Sequence, residues 1–118
     1  MVRPLARRVP AAFVPVRAAR PGVYRRPVTR AARQEAVRDG LAVVEYRPDL
    51  AEATRDRLVG VQRAAPGGTV LAPSAGLRAD QLSVTTYGRQ LRCPAVNAGA
   101  FDALQLFRGR YLGSGPDG

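Results

Sequence analysis

"LAVVEYRPDLAEATRDRLVGVQRAAPGGTVLA", Leu41 to Ala72, is the stretch that decides the fold. Its first six residues are rich in Val and almost continuously apolar, and Pro48 closes them off. A run that short and that apolar reads as a strand buried on both faces, hence a central one. Asp49 and Glu52 then carry the spacing of a helix start, the Asp accepting from a first-turn N–H and the Glu reaching back to the cap. Leu50, Ala53, Leu58, Val61 and Ala65 fall near one helical face, and Arg55, Asp56, Arg57 and Arg63 on the other. Pro66-Gly67-Gly68 ends the helix, and Thr69 to Ala72 reads as a second strand. Strand, helix and strand in that order imply a right-handed crossover joining a parallel pair.

Outward from this unit the signals are shorter. Pro73 to Asp80 reads as a loop. Leu82 to Tyr87 alternates like a strand, Gly88-Arg89 like a tight turn, and Gln90 to Cys93 like a returning strand. After a second loop, with Asn97 as its cap, Ala100 to Arg110 predicts a closing helix with Phe101, Leu104 and Phe107 on one side. Upstream, Ala31 to Arg38 predicts a turn or two of helix stopped by Gly40. The resulting fold class is α/β (α+β). A small mixed sheet of three to four strands, in the order β-α-β-β-β-α, has helices packed on it. Residues 1–31, rich in Arg and Pro, read as an extended, partly disordered arm, with Val23 and Tyr24 able to lie against the domain. Residues 32–112 read as a single small domain and 113–118 as a flexible Gly-rich tail.

Composition narrows the function classes. The chain has 118 residues, one domain's worth, and a formal net charge of +10. All 19 basic residues are Arg, and Ile is absent as well as Lys. That pattern fits a GC-rich coding bias, which weakens any inference from charge to phosphate binding. The charge is also uneven. Residues 1–39 carry ten Arg against Glu35 and Asp39, a net +8, while the remainder is nearly balanced. No His is present, so the commonest general base and metal ligand is missing. No run approaches the roughly 18–20 apolar residues of a membrane span. Val9 to Val16 only faintly resembles a signal sequence, and two prolines interrupt it.

The succession Gly-Val-Tyr before Pro-Val, then "AVVEYRPDL" with its helix, then "VLAPSAGL", "TTYGRQLRC" and "FRGRY", resembles a bacterial family known as domain of unknown function family 3105. The likeness runs from about Pro21 to Tyr111. It implies relatives with an N-terminal membrane anchor and a domain outside the cytoplasm, and no general activity. It also implies a histidine cluster, His-x-Leu-Glu-His-Gly, before the first strand, which could bind a metal. In this chain Glu35 stands at the first His position, Arg38 at the Glu, Asp39 at the second His, and only Gly40 is kept. The chain therefore reads as a degenerate member lacking the histidine pair and the anchor, or as one altered at its start by sequence error or truncation. As it stands it reads as cytoplasmic.

Each candidate site has a plainer reading beside it. Glu35 and Asp39 stand one helical turn apart and could share a cation. Such sites need six or more oxygens, however, and Arg38 points to ordinary ion pairing, so a solvated helix end is expected. Cys93 has no His or Lys near it in sequence and reads as buried and inert. The hydroxyls of Ser74, Ser83, Thr85 and Thr86 have no His to form a triad with. Tyr87 and Arg89 on an exposed hairpin form a plausible surface contact pair. Arg7, Arg8, Arg17, Arg20, Arg25 and Arg26 could touch polyanions weakly and without sequence preference. No catalytic residue, cofactor or metal is expected. The leading reading is a non-catalytic accessory or binding domain, open to a protein partner. The alternative is a basic adaptor that meets nucleic acid or an anionic membrane surface through its arm.

Overall fold

The computed structural model describes residues 16–115. Its elements are β1 (Gly22–Val23), α1 (Arg30–Arg38), β2 (Ala42–Tyr46), α2 (Glu52–Ala64), β3 (Thr69–Pro73), β4 (Leu82–Thr86), β5 (Arg89–Cys93) and α3 (Ala98–Tyr111). They form one mixed sheet in the order β1-β3-β2-β4-β5. The strands β1 and β2 run parallel to β3, while β4 lies antiparallel to β2 and β5 antiparallel to β4. The mixed α/β class and the crossover unit agree with the sequence. The sheet has one more strand than expected. β1 has only two residues, too few to carry a period, and backbone pairing of Gly22 and Val23 with Val70 and Leu71 creates it.

β2 is central and buried at all five positions, as its apolar run requires. Side chains alternate between the two faces of the sheet. Val44, Tyr46, Leu71, Leu82 and Val84 face Leu58 and Val61 of α2 and Phe101 and Leu104 of α3. Val43, Val70 and Ala72 face the other way, toward Ala32 and Ala36 of α1 and the flanking Val16 and Val28. The Val16 N–H donates to Pro27 O, and the Thr29 N–H donates to Val16 O. The Tyr24 hydroxyl accepts from the Arg20 N–H and donates to the Arg20 carbonyl, closing a small loop around β1.

One polar residue breaks the apolar pattern of β2. Glu45 is 4% exposed, in the middle of the sheet. Arg33 of α1 grips it with two bonds, Nε to Oε1 at 2.8 Å and Nη2 to Oε2 at 3.2 Å. A buried carboxylate is tolerable only with such a partner. The pair therefore fixes where α1 lies.

The start of α2 differs from the sequence expectation. Its N-cap is Ala51, with no side-chain cap bond. Asp49 is instead held by Arg47, Nε to Oδ1 at 3.0 Å and Nη2 to Oδ2 at 2.8 Å. A bidentate guanidinium outcompetes a single amide for the same oxygens, so the helix begins later. The packed face also shifts. Leu58 and Val61 are buried as predicted, Gln62 joins them, and Ala53 is exposed. Asn97 caps α3 as expected, and Thr29, which the sequence reading did not single out, caps α1. Thr29 Oγ1 accepts from Ala32 N, and Asn97 Oδ1 accepts from Ala100 N.

The far end of α2 is tied down by side chains. Val61 is among its last four carbonyls, which have no acceptor role inside the helix. Arg108 of α3, 7% exposed, donates to that carbonyl and, at 3.4 Å, to Thr69 Oγ1. Gln62 Nε2 donates to the Thr69 carbonyl at 3.1 Å. Close by, Gly40 takes φ +85°, where a side chain is disfavoured. Its carbonyl accepts from Gly113 N at 2.8 Å, and Leu112 packs directly against Gly68. The segment after α3 thus closes the amino ends of β2 and β3. Gly88, at φ +72°, makes the β4–β5 turn as its sequence implies.

Two stability outcomes follow. Arg108→Ala strands the Val61 carbonyl and should lower the unfolding free energy by about 2–3 kcal/mol, seen as a lower urea midpoint at unchanged m. Arg33→Met should cost about 2–3 kcal/mol, because it leaves Glu45 buried and unpaired while its own side chain was 29% exposed. The double variant Arg33→Met/Glu45→Leu should recover part of that loss. A double variant no more stable than Arg33→Met would refute this account of Glu45.

Candidate functional site

With the amino ends closed, the carboxyl ends of the parallel strands remain. A crevice of about 880 Å³ opens there. Three segments build it because the topology brings their ends together: Val23 to Pro27 after β1, Tyr46 and Pro48 after β2, and Pro73 and Ala75 after β3. One side of α2 forms the remaining wall, with Glu52, Arg55, Asp56, Val59 and Arg63. Ligands of open α/β sheets characteristically bind at this position, outside the carboxyl ends of the strands.

The lining joins apolar surface to unsatisfied polar groups. Val23, Pro27, Pro48, Val59 and Pro73 supply the apolar part. Tyr46 is only 9% exposed, and its hydroxyl makes no hydrogen bond among the described residues. Burial pushes this phenol up, and the Arg55 charge pulls it partly back. Arg55 Nε is buried and has no partner among the described residues. Arg25, Arg55, Arg63, Glu52 and Asp56 all line the crevice, yet none of the five is ion-paired among the described residues. The first-turn amides of α2 also lack a side-chain cap. A smaller groove of about 320 Å³ lies between α2 and α3. The Arg57 guanidinium already stacks there on Phe101, 4.1 Å from the ring centroid.

The residues singled out from sequence are scattered. Glu35 and Asp39 are exposed at the end of α1, beside the closed amino ends. No cluster of potential metal ligands forms among the described residues. Arg17, Arg20, Arg25 and Arg26 are exposed, and only Arg25 reaches the crevice. Arg7 and Arg8 lie outside the described residues. Tyr87 is half-buried, and Arg89 stacks over the Tyr111 ring at 4.4 Å. Cys93 faces the core beneath α3.

A family comparison adds the identity of the scaffold. The family model described as protein of unknown function (DUF3105) matches residues 13–110. The chain belongs to that family. Comparisons with curated proteins and with solved structures found no match. The family's description assigns no function. No helix among the described residues is long and apolar enough to cross a membrane.

Sequence reasoning missed the crevice. Its residues run from Val23 to Ala75, and only the parallel pairing of three strands gathers them. One signal was present in the sequence. A strand–helix–strand unit predicts an open site where its first strand ends and its helix begins, which is Tyr46 to Asp56 here.

Cys93 gives a direct chemical check. Burial and then the Asp80 carboxylate push its thiol up, so it stays protonated at neutral pH. A thiol reagent at pH 8 should leave the native protein unlabelled and label it fully in denaturant. The raised value also has a sign for stability. Its contribution is whole below the unfolded thiol's pKa of about 8.5 and is lost as pH rises through the folded value.

Proposed function

We propose that the chain is a small, non-catalytic binding module whose ligand enters the crevice at the carboxyl ends of β1, β2 and β3. The observation that carries this reading is the contrast between the two ends of the sheet. Leu112, Gly113 and Arg108 fill one end. The other keeps a cavity of about 880 Å³ lined by Arg55, whose Nε is buried without a partner among the described residues. Burying polar groups without partners is unfavourable, so a crevice of this kind is best completed by a ligand. The chemistry of the side chains favours binding over catalysis. The sequence offers no imidazole, and its one thiol is buried on the opposite side of β5 from solvent.

Fragment screening by amide-resolved NMR tests the site. Chemical-shift changes should gather at Val23 to Arg26, Tyr46 and Glu52 to Val59. They should be absent at Gly40, Gly68 and Leu112. Shifts spread evenly over the surface, or centred on the closed end, would remove the basis for this proposal.

A further inference from the structure

Resting on the reading of the crevice as the binding site, we infer that its ligand is a small organic monocarboxylate with an apolar body, held between the Tyr46 hydroxyl and the Arg55 guanidinium. Three independent features converge on that chemistry. The first is Tyr46, whose ring is sealed against the sheet while its hydroxyl has no partner among the described residues. A phenol placed so is a ready donor. The second is Arg55, charged and with Nε buried and unsatisfied. A guanidinium presents paired N–H groups that match the two oxygens of a carboxylate. The third is the start of α2, where the N-cap residue Ala51 leaves the first-turn amides without a side-chain acceptor.

The rest of the wall sets the size and charge of the ligand. Val59, Pro27, Pro48 and Pro73 offer apolar contact but no further donors from their side chains. An apolar body beside the carboxylate therefore fits, and a sugar-like body does not. Glu52 and Asp56 stand on the same helix as Arg55 and leave the lining with only one net positive charge, three arginines against two acids. That balance suits one negative charge. A phosphate dianion brings two and meets the acids as well as the arginines. A free organic acid and the C-terminus of a peptide share the required chemistry, and the test separates them.

The test uses the full chain and four probes: benzoate, its neutral analogue benzamide, N-acetylphenylalanine as a peptide-terminus mimic, and inorganic phosphate. Binding is followed through the amide shifts of Tyr46 to Val59 and the Nε–H signal of Arg55. Benzoate or N-acetylphenylalanine should bind there, and the tighter of the two names the source of the carboxylate. Benzamide should bind at least about tenfold more weakly, having lost the charge-assisted bonds. Tyr46→Phe, which keeps the buried ring, should weaken the carboxylate by about tenfold, and Arg55→Gln by at least as much. Arg110→Gln, an exposed change of equal charge outside the crevice, should leave binding unaltered.

Benzamide binding as well as benzoate would overturn the carboxylate assignment and leave the crevice standing as a site. Phosphate binding more tightly than either acid would do the same. Equal losses from Arg110→Gln and Arg55→Gln would show attraction to net charge alone and also overturn it. Shifts from every probe falling away from the crevice would sink the binding-site reading itself. Melting curves of each variant confirm that the fold is intact before binding is compared.

Discussion

The structure depends first on a carboxylate in the wrong place. Glu45 sits in the central strand of the sheet, between Val44 and Tyr46, with almost no contact with water. A charge so placed must be met by another, and Arg33 is the group that meets it. That requirement determines more than one bond. Arg33 sits in the first turn of α1, which starts at the Thr29 cap and places Ala32 and Ala36 against the sheet. Alanines are too small to anchor a helix strongly by apolar burial. The ion pair supplies the direction that their packing leaves loose. With α1 located, its exit at Gly40 is located too, and the chain after α3 finds the Gly40 carbonyl to bind.

The two ends of the sheet are therefore unequal for a connected reason. At the amino end, three pieces of chain converge: the end of α1, the start of β3 and the segment after α3. Gly40 and Gly68 permit the Gly113 backbone and Leu112 to approach closely there. At the carboxyl end the strands stop beside prolines. Pro73 is the last residue of β3, with the Ser74 N–H still donating to Tyr46 O, and Pro48 follows two residues after β2 without an N–H to offer. One end closes because glycines allow contact. The other stays open because no segment among the described residues fills it.

How far the sequence could be read follows from the range of each signal. The central strand, the helix faces at Leu58 and Val61, the Asn97 cap and the Gly88 turn are all local, and each was visible in a window of a few residues. The Asp49 cap was misread because its competitor, Arg47, stands two residues back and the choice between them rests on guanidinium geometry. β1 was missed because two residues show no alternation. The Glu45–Arg33 pair joins residues twelve apart on different elements, and nothing local marks it. The crevice is harder still, because its walls come from three strand ends and a helix. Glu35 and Asp39, singled out from sequence, lie at the closed end of the sheet and away from the crevice.

The two ends of α2 carry the same contrast into one element. Its C-terminal carbonyls are met by Arg108 and by the short link to β3, where Gln62 holds the turn. Burial holds the Arg108 guanidinium below its usual pKa without discharging it, since arginine remains protonated far above neutrality. A buried cation is an expensive way to satisfy one carbonyl, unless the helix must be held at that end. The N-terminus has no such fixing: Ala51 offers no side-chain cap, and Asp49, which could have supplied one, is committed to Arg47. A helix clamped at its tail and uncapped at its head keeps its position while its first-turn amides stay uncommitted. Glu52 at the head of α2 lines the crevice together with Arg55 and Tyr46, so a hold on the tail of α2 also holds that wall in place.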